Sequence, residues 1–313
     1  MALQRKETAA SSSIVEIQPK GTRSPLFLVH GVGGGMLWGY SNLARQLGEE
    51  QPIYAFKSRG IDGLEEFTRI EDMAEHYAAD LRRFQPQGPY YLGGYCFGGN
   101  VAYEMARQLT VQGQKVALLL LMNCWANNSS YMRINWTPAF FAKFLWNLGL
   151  RLNHQIRQGV RQPRDYFKWR CAWIGRRNRA FFSKKIEDEV AVNDVVNFAP
   201  QPEQARRLWR THVQAWLQYQ ARPYAGRIVL LRTRGHPLVC SFDRAMGWYG
   251  FAAGGVTVKI CHGDHESILE ERNVAYTARQ LKAVLAEVQN QNTGRPKLVF
   301  KTKDESLVSS QQL

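Results

Sequence analysis

The feature that most constrains the fold is Val116–Met122, an apolar run with no polar residue inside it. A strand that exposes one face to water alternates apolar and polar side chains, whereas a strand buried on both faces does not. Strands of the second kind belong to parallel sheets that carry helices on both sides. The run therefore predicts an α/β architecture, and the hydrophobic fraction of 45% is ample for its core.

Strand and helix patterns alternate along the rest of the chain. The predicted strands are 25–30, 53–57, 90–94, 116–122, 227–233 and 256–260, and the predicted helices are about 38–47, 70–84, 97–111 and 273–288. Alternation of this kind requires right-handed crossovers between parallel strands. We therefore expect a mostly parallel sheet with helices on both faces.

The alternation stops between residues 124 and 200, where aromatic and basic residues are interleaved. Apolar side chains recur there at roughly helical spacing, at Trp136, Phe140, Phe141, Phe144, Leu145 and Leu148. We interpret 124–200 as an inserted helical lid and expect these aromatics to form its core. The predicted core domain is then 21–123 and 201–288, with a flexible leader at 1–20 and a flexible tail at 289–313.

Charge is the next feature that restricts function. The formal net charge is +15, and residues 151–185 contain 11 Lys and Arg against the single acid Asp165. An excess of this kind is either a solvated basic face or a surface that binds an acidic protein, nucleic acid or an anionic membrane. Among the binding partners we favour an acidic protein.

The cysteines and the N-terminus bear on the compartment. Five cysteines are scattered without CxxC spacing, which predicts neither a disulfide framework nor a metal site. We find no signal-peptide core and no apolar run long enough to span a membrane. The expectation is a cytoplasmic protein with free thiols, one of which could act as a nucleophile.

The motif Gly94-Tyr-Cys96-Phe-Gly98-Gly99 lies between a predicted strand and a predicted helix. This is the setting of a nucleophile elbow, G-x-S-x-G, with Cys96 in the serine position. A side chain at Gly94 or Gly98 would collide with neighbouring backbone, and a helix N-terminus favours a thiolate. A buried structural cysteine in a glycine-rich turn is the less favoured interpretation.

Two histidine motifs complete the candidate site. In His30-Gly31-Val32-Gly33, the backbone N–H of Val32, together with that of Phe97, is a candidate oxyanion hole. In His262-Gly-Asp-His265, His265 follows the last predicted strand, where the base of such a fold belongs. The remaining histidines are expected to be structural or exposed: His76, His154, His212, His236 and His262.

These motifs, in this order and with Gly247-Trp248, resemble the thioesterase domains of nonribosomal peptide and polyketide synthases and the related stand-alone type II thioesterases. The resemblance implies an α/β-hydrolase fold with an inserted helical lid. It also implies an acyl or peptidyl carrier protein as partner, with the substrate on the carrier's phosphopantetheine and no cofactor bound to this chain. The acyl group would pass to Cys96 and then to water, an internal nucleophile or a second acceptor.

The sequence departs from this family at two positions. Cys96 replaces the usual serine, and the family's acid falls on Asn123, 27 residues after the nucleophile. An asparagine can orient a histidine by hydrogen bonding, as in Cys-His-Asn enzymes. Asp243, after the following strand, is the alternative acid. A conventional small-ester hydrolase and a non-catalytic carrier-protein-binding module remain the competing functions.

Overall fold

The computed structural model describes residues 12–132, 136–157, 203–236 and 240–293. A seven-stranded sheet of order β1-β3-β2-β4-β5-β6-β7 forms its centre. The strands are β1 (Ile14–Gln18), β2 (Leu26–Val29), β3 (Ile53–Phe56), β4 (Tyr90–Tyr95), β5 (Val116–Met122), β6 (Ile228–Thr233) and β7 (Val256–Cys261). Strands β2 to β7 pair in parallel, and β1 pairs antiparallel with β3 at one edge.

Helices cover both faces of this sheet. They are α1 (Leu37–Leu47), α2 (Ile70–Phe84), α3 (Phe97–Val111), α4 (Pro138–Arg157), α5 (Glu203–Gln218) and α6 (Glu271–Thr293). The predicted α/β-hydrolase architecture is therefore confirmed. None of the described helices combines the length and the apolar character that crossing a bilayer requires.

Strand β5 shows why the sheet is buried on both sides. Leu119 packs with side chains of α2 and α3, whereas the next residue, Leu120, packs with those of α1 and α6. Both leucines are fully buried. Because each such side chain stabilises the fold by about 1.5–3 kcal/mol, β5 ties the two helical layers together.

Three expectations about local structure were wrong or incomplete. Strand β1 lies inside the segment 1–20 that we predicted to be a flexible leader. Its apolar residues Ile14 and Val15 pair with Phe56 and Ala55 of β3. Helix α6 continues to Thr293, five residues past the predicted boundary at 288. Helix α5 was not predicted at all, although it contains the buried residues Leu208 and His212 at i, i+4 spacing.

Of the predicted lid at 124–200, the structure describes residues 124–132 and 136–157, and the second range contains helix α4. Phe140 is buried and its ring lies 5.6 Å from that of Phe242, but Trp136, Phe141 and Leu145 are exposed. Within the described residues, the face of α4 that contains Phe140 packs on the core domain. The lid core itself stays a prediction. Residues 158–202 lie outside the described residues.

Candidate active site

The carboxyl ends of the parallel strands gather the candidate residues at one edge of the sheet. Val32 follows β2, Cys96 follows β4, Asn123 follows β5 and His265 follows β7. Strands β2, β4 and β5 are direct neighbours, so their following residues are brought close together. Ligand and catalytic sites of open α/β sheets lie at this edge.

Cys96 occupies a sharp turn between β4 and α3. Its backbone has φ 53° and ψ −118°, a strained conformation for a residue with a side chain. The turn is held because its N–H donates to the carbonyl of Met122 at 2.9 Å. A Cβ at Gly98 would lie 2.3 Å from the carbonyl oxygen of His30, and one at Gly94 would lie 2.2 Å from that of Gly98. Glycine is therefore required on both sides of the nucleophile.

The Cys96 thiol is protonated at neutral pH. Burial raises its pKa to about 11, although a hydrogen bond from the backbone N–H of Phe97 favours the thiolate. The expectation that the start of α3 would favour a thiolate is therefore outweighed by loss of solvent. A thiol in this environment needs a general base before it can attack.

The loop Gly31–Gly35 leaves one backbone donor unused. Gly31 donates to Gly35, Gly34 to Gly31 and Gly35 to Val32, and the N–H of Gly33 donates to Nδ1 of His212. Among the described residues, the N–H of Val32 has no acceptor. The N–H of Phe97 contacts the Cys96 sulfur. The sequence predicted that this N–H and that of Val32 form the oxyanion hole.

His265 lies on the loop between β7 and α6. The carboxylate of Asp264 shapes this loop by accepting hydrogen bonds from the N–H and hydroxyl of Ser267 at 2.9 and 2.6 Å. The Tyr95 hydroxyl donates to the carbonyl of His265, and the rings of the two residues lie 5.0 Å apart. Since Tyr95 directly precedes Cys96, the imidazole is held beside the elbow.

Asn123 connects this histidine loop to the sheet. Its side chain is buried, its Oδ1 accepts the N–H of Thr233 at 2.9 Å, and its Nδ2 donates to the carbonyl of Asp264 at 3.5 Å. Its backbone has φ 44°, so the chain turns sharply as it leaves β5. The amide is thus fixed next to the residue that precedes His265.

Asp243 has a different environment. Its carboxylate accepts the backbone N–H of Gly247 at 2.7 Å and that of Ala245 at 3.2 Å. These contacts lie within the turn that follows Asp243 itself. The Asn123 side chain donates to the histidine loop, whereas the Asp243 carboxylate stabilises a local turn.

Helix α5 lies across the candidate site. Trp209 packs on the glycine loop so closely that a Cβ at Gly33 would lie 2.1 Å from its indole nitrogen. One heptad later, Trp216 contacts Trp125 with ring centroids 5.3 Å apart, and Trp125 lies 6.0 Å from the ring of His265. The same face of α5 therefore contacts both the oxyanion loop and an aromatic residue beside the candidate base.

Sequence analysis missed the contribution of His212. We expected this residue to be structural or exposed, and it is buried against the glycine loop. Its partner Gly33 is 179 residues away in the chain, so no local pattern could have identified the contact. His262, in contrast, is exposed as expected and stacks on Tyr276 at 3.8 Å.

Comparison with known families agrees with the geometry of the site. Residues 24–156, which include the glycine loop, the elbow and Asn123, match the family model described as thioesterase domain. This segment of the chain is therefore similar to the thioesterase domain family. The fold and the order of the motifs agree with that similarity.

The curated relatives that this chain matches are synthetases. Malpibaldin synthetase of Mortierella alpina is 42% identical over 119 residues, and a dimodular nonribosomal peptide synthase of Bacillus subtilis is 38% identical over 130 residues. The atromentin synthetase nps3 of Serpula lacrymans is 39% identical over 127 residues. These matches cover 38–40% of this chain but only 2%, 5% and 13% of the three relatives, respectively.

Solved thioesterase domains share the fold over most of the chain. The NocB thioesterase domain from the nocardicin cluster superposes with a TM-score of 0.58 at 24% identity, covering 88% of this chain and all of that domain. The surfactin thioesterase domain SrfTE superposes with a TM-score of 0.55 at 17% identity, covering 88% of this chain and 98% of that one. At these identities the likeness establishes the fold.

Proposed function

We propose that this protein is a thioesterase-like enzyme that takes an acyl, peptidyl or polyketide chain from the phosphopantetheine of a carrier protein onto Cys96. It then releases the chain by transfer, cyclisation or hydrolysis in natural-product biosynthesis. The observation that carries the proposal is the elbow at Cys96. The backbone of Cys96 is strained, and its sulfur contacts the N–H of Phe97. The neighbouring strand β2 leads into the loop in which the N–H of Val32 has no acceptor among the described residues.

The first half-reaction moves the chain between two sulfur atoms. His265 accepts the thiol proton of Cys96, and the sulfur attacks the thioester carbonyl carbon. The N–H groups of Val32 and Phe97 donate to the oxyanion that forms. When the tetrahedral intermediate collapses, the bond to the pantetheine sulfur breaks, and the proton held by His265 passes to that leaving sulfur.

The second half-reaction releases the chain. An acceptor attacks the acyl carbon of the Cys96 thioester, and His265 removes the acceptor's proton. The carbon–sulfur bond to Cys96 breaks, and the same proton returns to the Cys96 sulfur. Because exchange of one thioester for another is nearly thermoneutral, loading costs little free energy. The acyl-cysteine also stays reactive toward amines and carbanions, so transfer and ring closure are as accessible as hydrolysis.

We assign the orienting role to Asn123 rather than to Asp243. The Asn123 amide donates to the carbonyl of Asp264, next to His265, and its oxygen is fixed by Thr233. The Asp243 carboxylate accepts hydrogen bonds from two N–H groups of its own turn. A neutral amide suits a site in which the resting thiol is protonated, because no charged pair has to be balanced before substrate binds.

A carrier protein is the proposed partner. The curated relatives are multidomain synthetases, and the net charge of +15 on this chain favours an acidic partner. Within the described residues, helix α5 exposes Arg206, Arg207 and Arg210 beside the site. The basic segment 151–185, which we expected to bind the carrier, lies beyond the described residues from 158 onward.

Steady-state kinetics with matched substrates tests the proposal. The same acyl group is offered on a carrier protein, on pantetheine and as a nitrophenyl oxygen ester, to the wild type and to Cys96→Ala. We expect kcat/KM to be highest for the carrier-bound chain and to fall as salt rises from 50 to 300 mM, because surface charge is screened over about 10 Å at 0.1 M. The pantetheine thioester should show little salt dependence.

The competing functions give different results in this assay. A conventional small-ester hydrolase would favour the nitrophenyl ester and ignore the carrier. A non-catalytic module would bind the carrier but turn over none of the three substrates, with the same result for Cys96→Ala. Either outcome would refute the proposal.

A further inference from the structure

His212 joins helix α5 to the loop that bears the candidate oxyanion donor. It is fully buried, and its Nδ1 accepts the backbone N–H of Gly33 at 2.9 Å. The acceptor role requires an unprotonated Nδ1, so the proton of the neutral ring lies on Nε2. In this tautomer Nε2 carries the proton and lies 3.3 Å from Oε2 of Glu66, which is within ion-pair distance but outside hydrogen-bond geometry.

Glu66 is itself held rigidly. Its Oε1 accepts the N–H of Phe67 at 2.9 Å, and its Oε2 accepts the N–H of Gly60 at 3.1 Å and the hydroxyl of Ser58. Burial opposes ionisation of this carboxyl, but the contacts with His212, Ser58 and Phe67 outweigh it and keep its pKa below the ordinary value. A charged, fixed carboxylate thus sets both the tautomer and the position of the imidazole.

The bond to Gly33 fixes the orientation of the peptide that joins Val32 to Gly33. Gly33 has φ 68°, a conformation in which a glycine loop can readily rearrange. The amides of Gly31, Gly34 and Gly35 donate within the loop, whereas the N–H of Gly33 donates to His212 and so links the loop to helix α5. Rotation of this peptide would reorient the neighbouring N–H of Val32.

We infer that His212, held by Glu66, is a positioning residue that keeps the N–H of Val32 directed at the oxyanion. This role rests on the proposed function, because it presupposes that an oxyanion forms at Cys96. It also means that the oxyanion hole is complete only when helix α5 is seated on the glycine loop. The residue does not touch the reacting atoms.

Two nearly isosteric substitutions separate positioning from packing. In His212→Asn, the amide oxygen takes the place of Nδ1 and still accepts the N–H of Gly33. In His212→Leu, a side chain of similar size provides no acceptor. His76→Leu is the matched control, because His76 is half-buried on α2 and contacts Asp80 rather than the glycine loop.

Two reactions of Cys96 are measured on each variant. Acylation by an acyl-pantetheine thioester forms an oxyanion, whereas alkylation by iodoacetamide does not. Removal of one oxyanion donor costs about 100- to 1,000-fold in kcat, so partial misorientation should cost at least about tenfold. We expect His212→Leu to lower the ratio of acylation to alkylation by that factor, His212→Asn to recover most of it, and His76→Leu to leave it unchanged.

The ratio also controls for misfolding, because both rates come from the same thiol in the same sample. An unchanged ratio of acylation to alkylation in His212→Leu would overturn the inference, whether the two rates stay the same or fall by the same factor. Failure of His212→Asn to recover the ratio would also overturn it. A wild type that is alkylated at Cys96 yet accepts no acyl group would instead refute the proposed function itself.

Discussion

The raised pKa of the Cys96 thiol makes a quantitative prediction about the enzyme without its base. At pH 7, a thiol with a pKa of about 11 is ionised to about 1 part in 10,000, whereas an ordinary cysteine with a pKa of about 8.5 is ionised to about 3%. The thiolate fraction is therefore about 300-fold lower at Cys96. Each thiolate is, however, about 13-fold more nucleophilic, because a Brønsted coefficient of about 0.45 applies over the difference of about 2.5 in pKa. The net expectation for His265→Ala is alkylation about 25-fold slower than that of an unperturbed cysteine.

Iodoacetamide alkylation followed by peptide mapping measures this rate at Cys96 specifically. Mapping is needed because the chain has five cysteines, of which Cys124, Cys240 and Cys261 are buried. A cysteine-containing peptide serves as the unperturbed thiol. His262→Ala is the matched control, because His262 is exposed three residues before His265 and stacks on Tyr276.

The pH dependence gives a second test of the same reasoning. In His265→Ala, the rate at Cys96 should rise about tenfold per pH unit from pH 7 to 9.5 without levelling, since the thiol remains below its pKa throughout. His262→Ala should react like the wild type. A rate in His265→Ala that equals that of the peptide, or that levels near pH 8.5, would show that burial does not keep the thiol protonated. The argument for an obligatory base would then fail.

Three further predictions concern the triad, the elbow and the thiols. Asn123→Ala should slow single-turnover acylation roughly 5- to 150-fold, because it removes a hydrogen bond worth about 1–3 kcal/mol. Asp243→Ala should lower the melting temperature with little effect on that rate. The reverse pattern would assign the orienting role to Asp243. Gly98→Ala should abolish acylation and destabilise the fold by at least about 1–3 kcal/mol in urea titrations, because its Cβ would lie 2.3 Å from a backbone oxygen. The control Gly149→Ala should be neutral or stabilising, because the space around Gly149 is open. A tolerated Gly98→Ala would contradict the described elbow. Burial raises the pKa of Cys261 to about 11, so the folded state retains a proton that the unfolded state loses above about pH 8.5. Cys261 alone should therefore lower the free energy of unfolding by about 1.4 kcal/mol between pH 7 and 9.5, in addition to the contributions of Cys96 and Cys124. Cys261→Ala should reduce the fall by that amount, and an unchanged fall would contradict the assignment.

The parts of the fold that sequence predicted were those with a strong local signal. The run Val116–Met122 became strand β5 with the same bounds, because seven consecutive apolar residues can be buried only at the centre of a covered sheet. Strand β1 was missed because its apolar residues are few and are flanked by polar segments. Pairing with β3 stabilises it, and that contact is not visible in the local pattern.

The candidate site divides in the same way. The elbow around Cys96 was recognisable because the glycines that its turn requires are adjacent to it in the sequence. The Gly-Asp-His265 motif was recognisable because it directly follows a predicted strand. The contact of His212 with Gly33 was not recognisable, because it depends on how helix α5 packs on a distant loop. The choice between Asn123 and Asp243 likewise depended on hydrogen-bond partners that only the folded chain supplies.

The protonation state of Cys96 shows a limit of reasoning from local structure. The start of helix α3 and the N–H of Phe97 both favour a thiolate, and on that basis we expected an activated nucleophile. Burial has the larger effect and raises the pKa to about 11. The chemistry of this thiol therefore depends on the surrounding core as well as on the elbow.

Intact-protein mass spectrometry of the acyl-enzyme tests the central claim most directly. The enzyme is mixed with an acyl-pantetheine thioester, quenched in acid within a single turnover and then digested to locate the adduct. We expect a mass increase equal to the acyl group, on the peptide that contains Cys96, and none in Cys96→Ala. An adduct that persists in Cys96→Ala, or that maps to another residue, would contradict the assignment of Cys96 as the nucleophile.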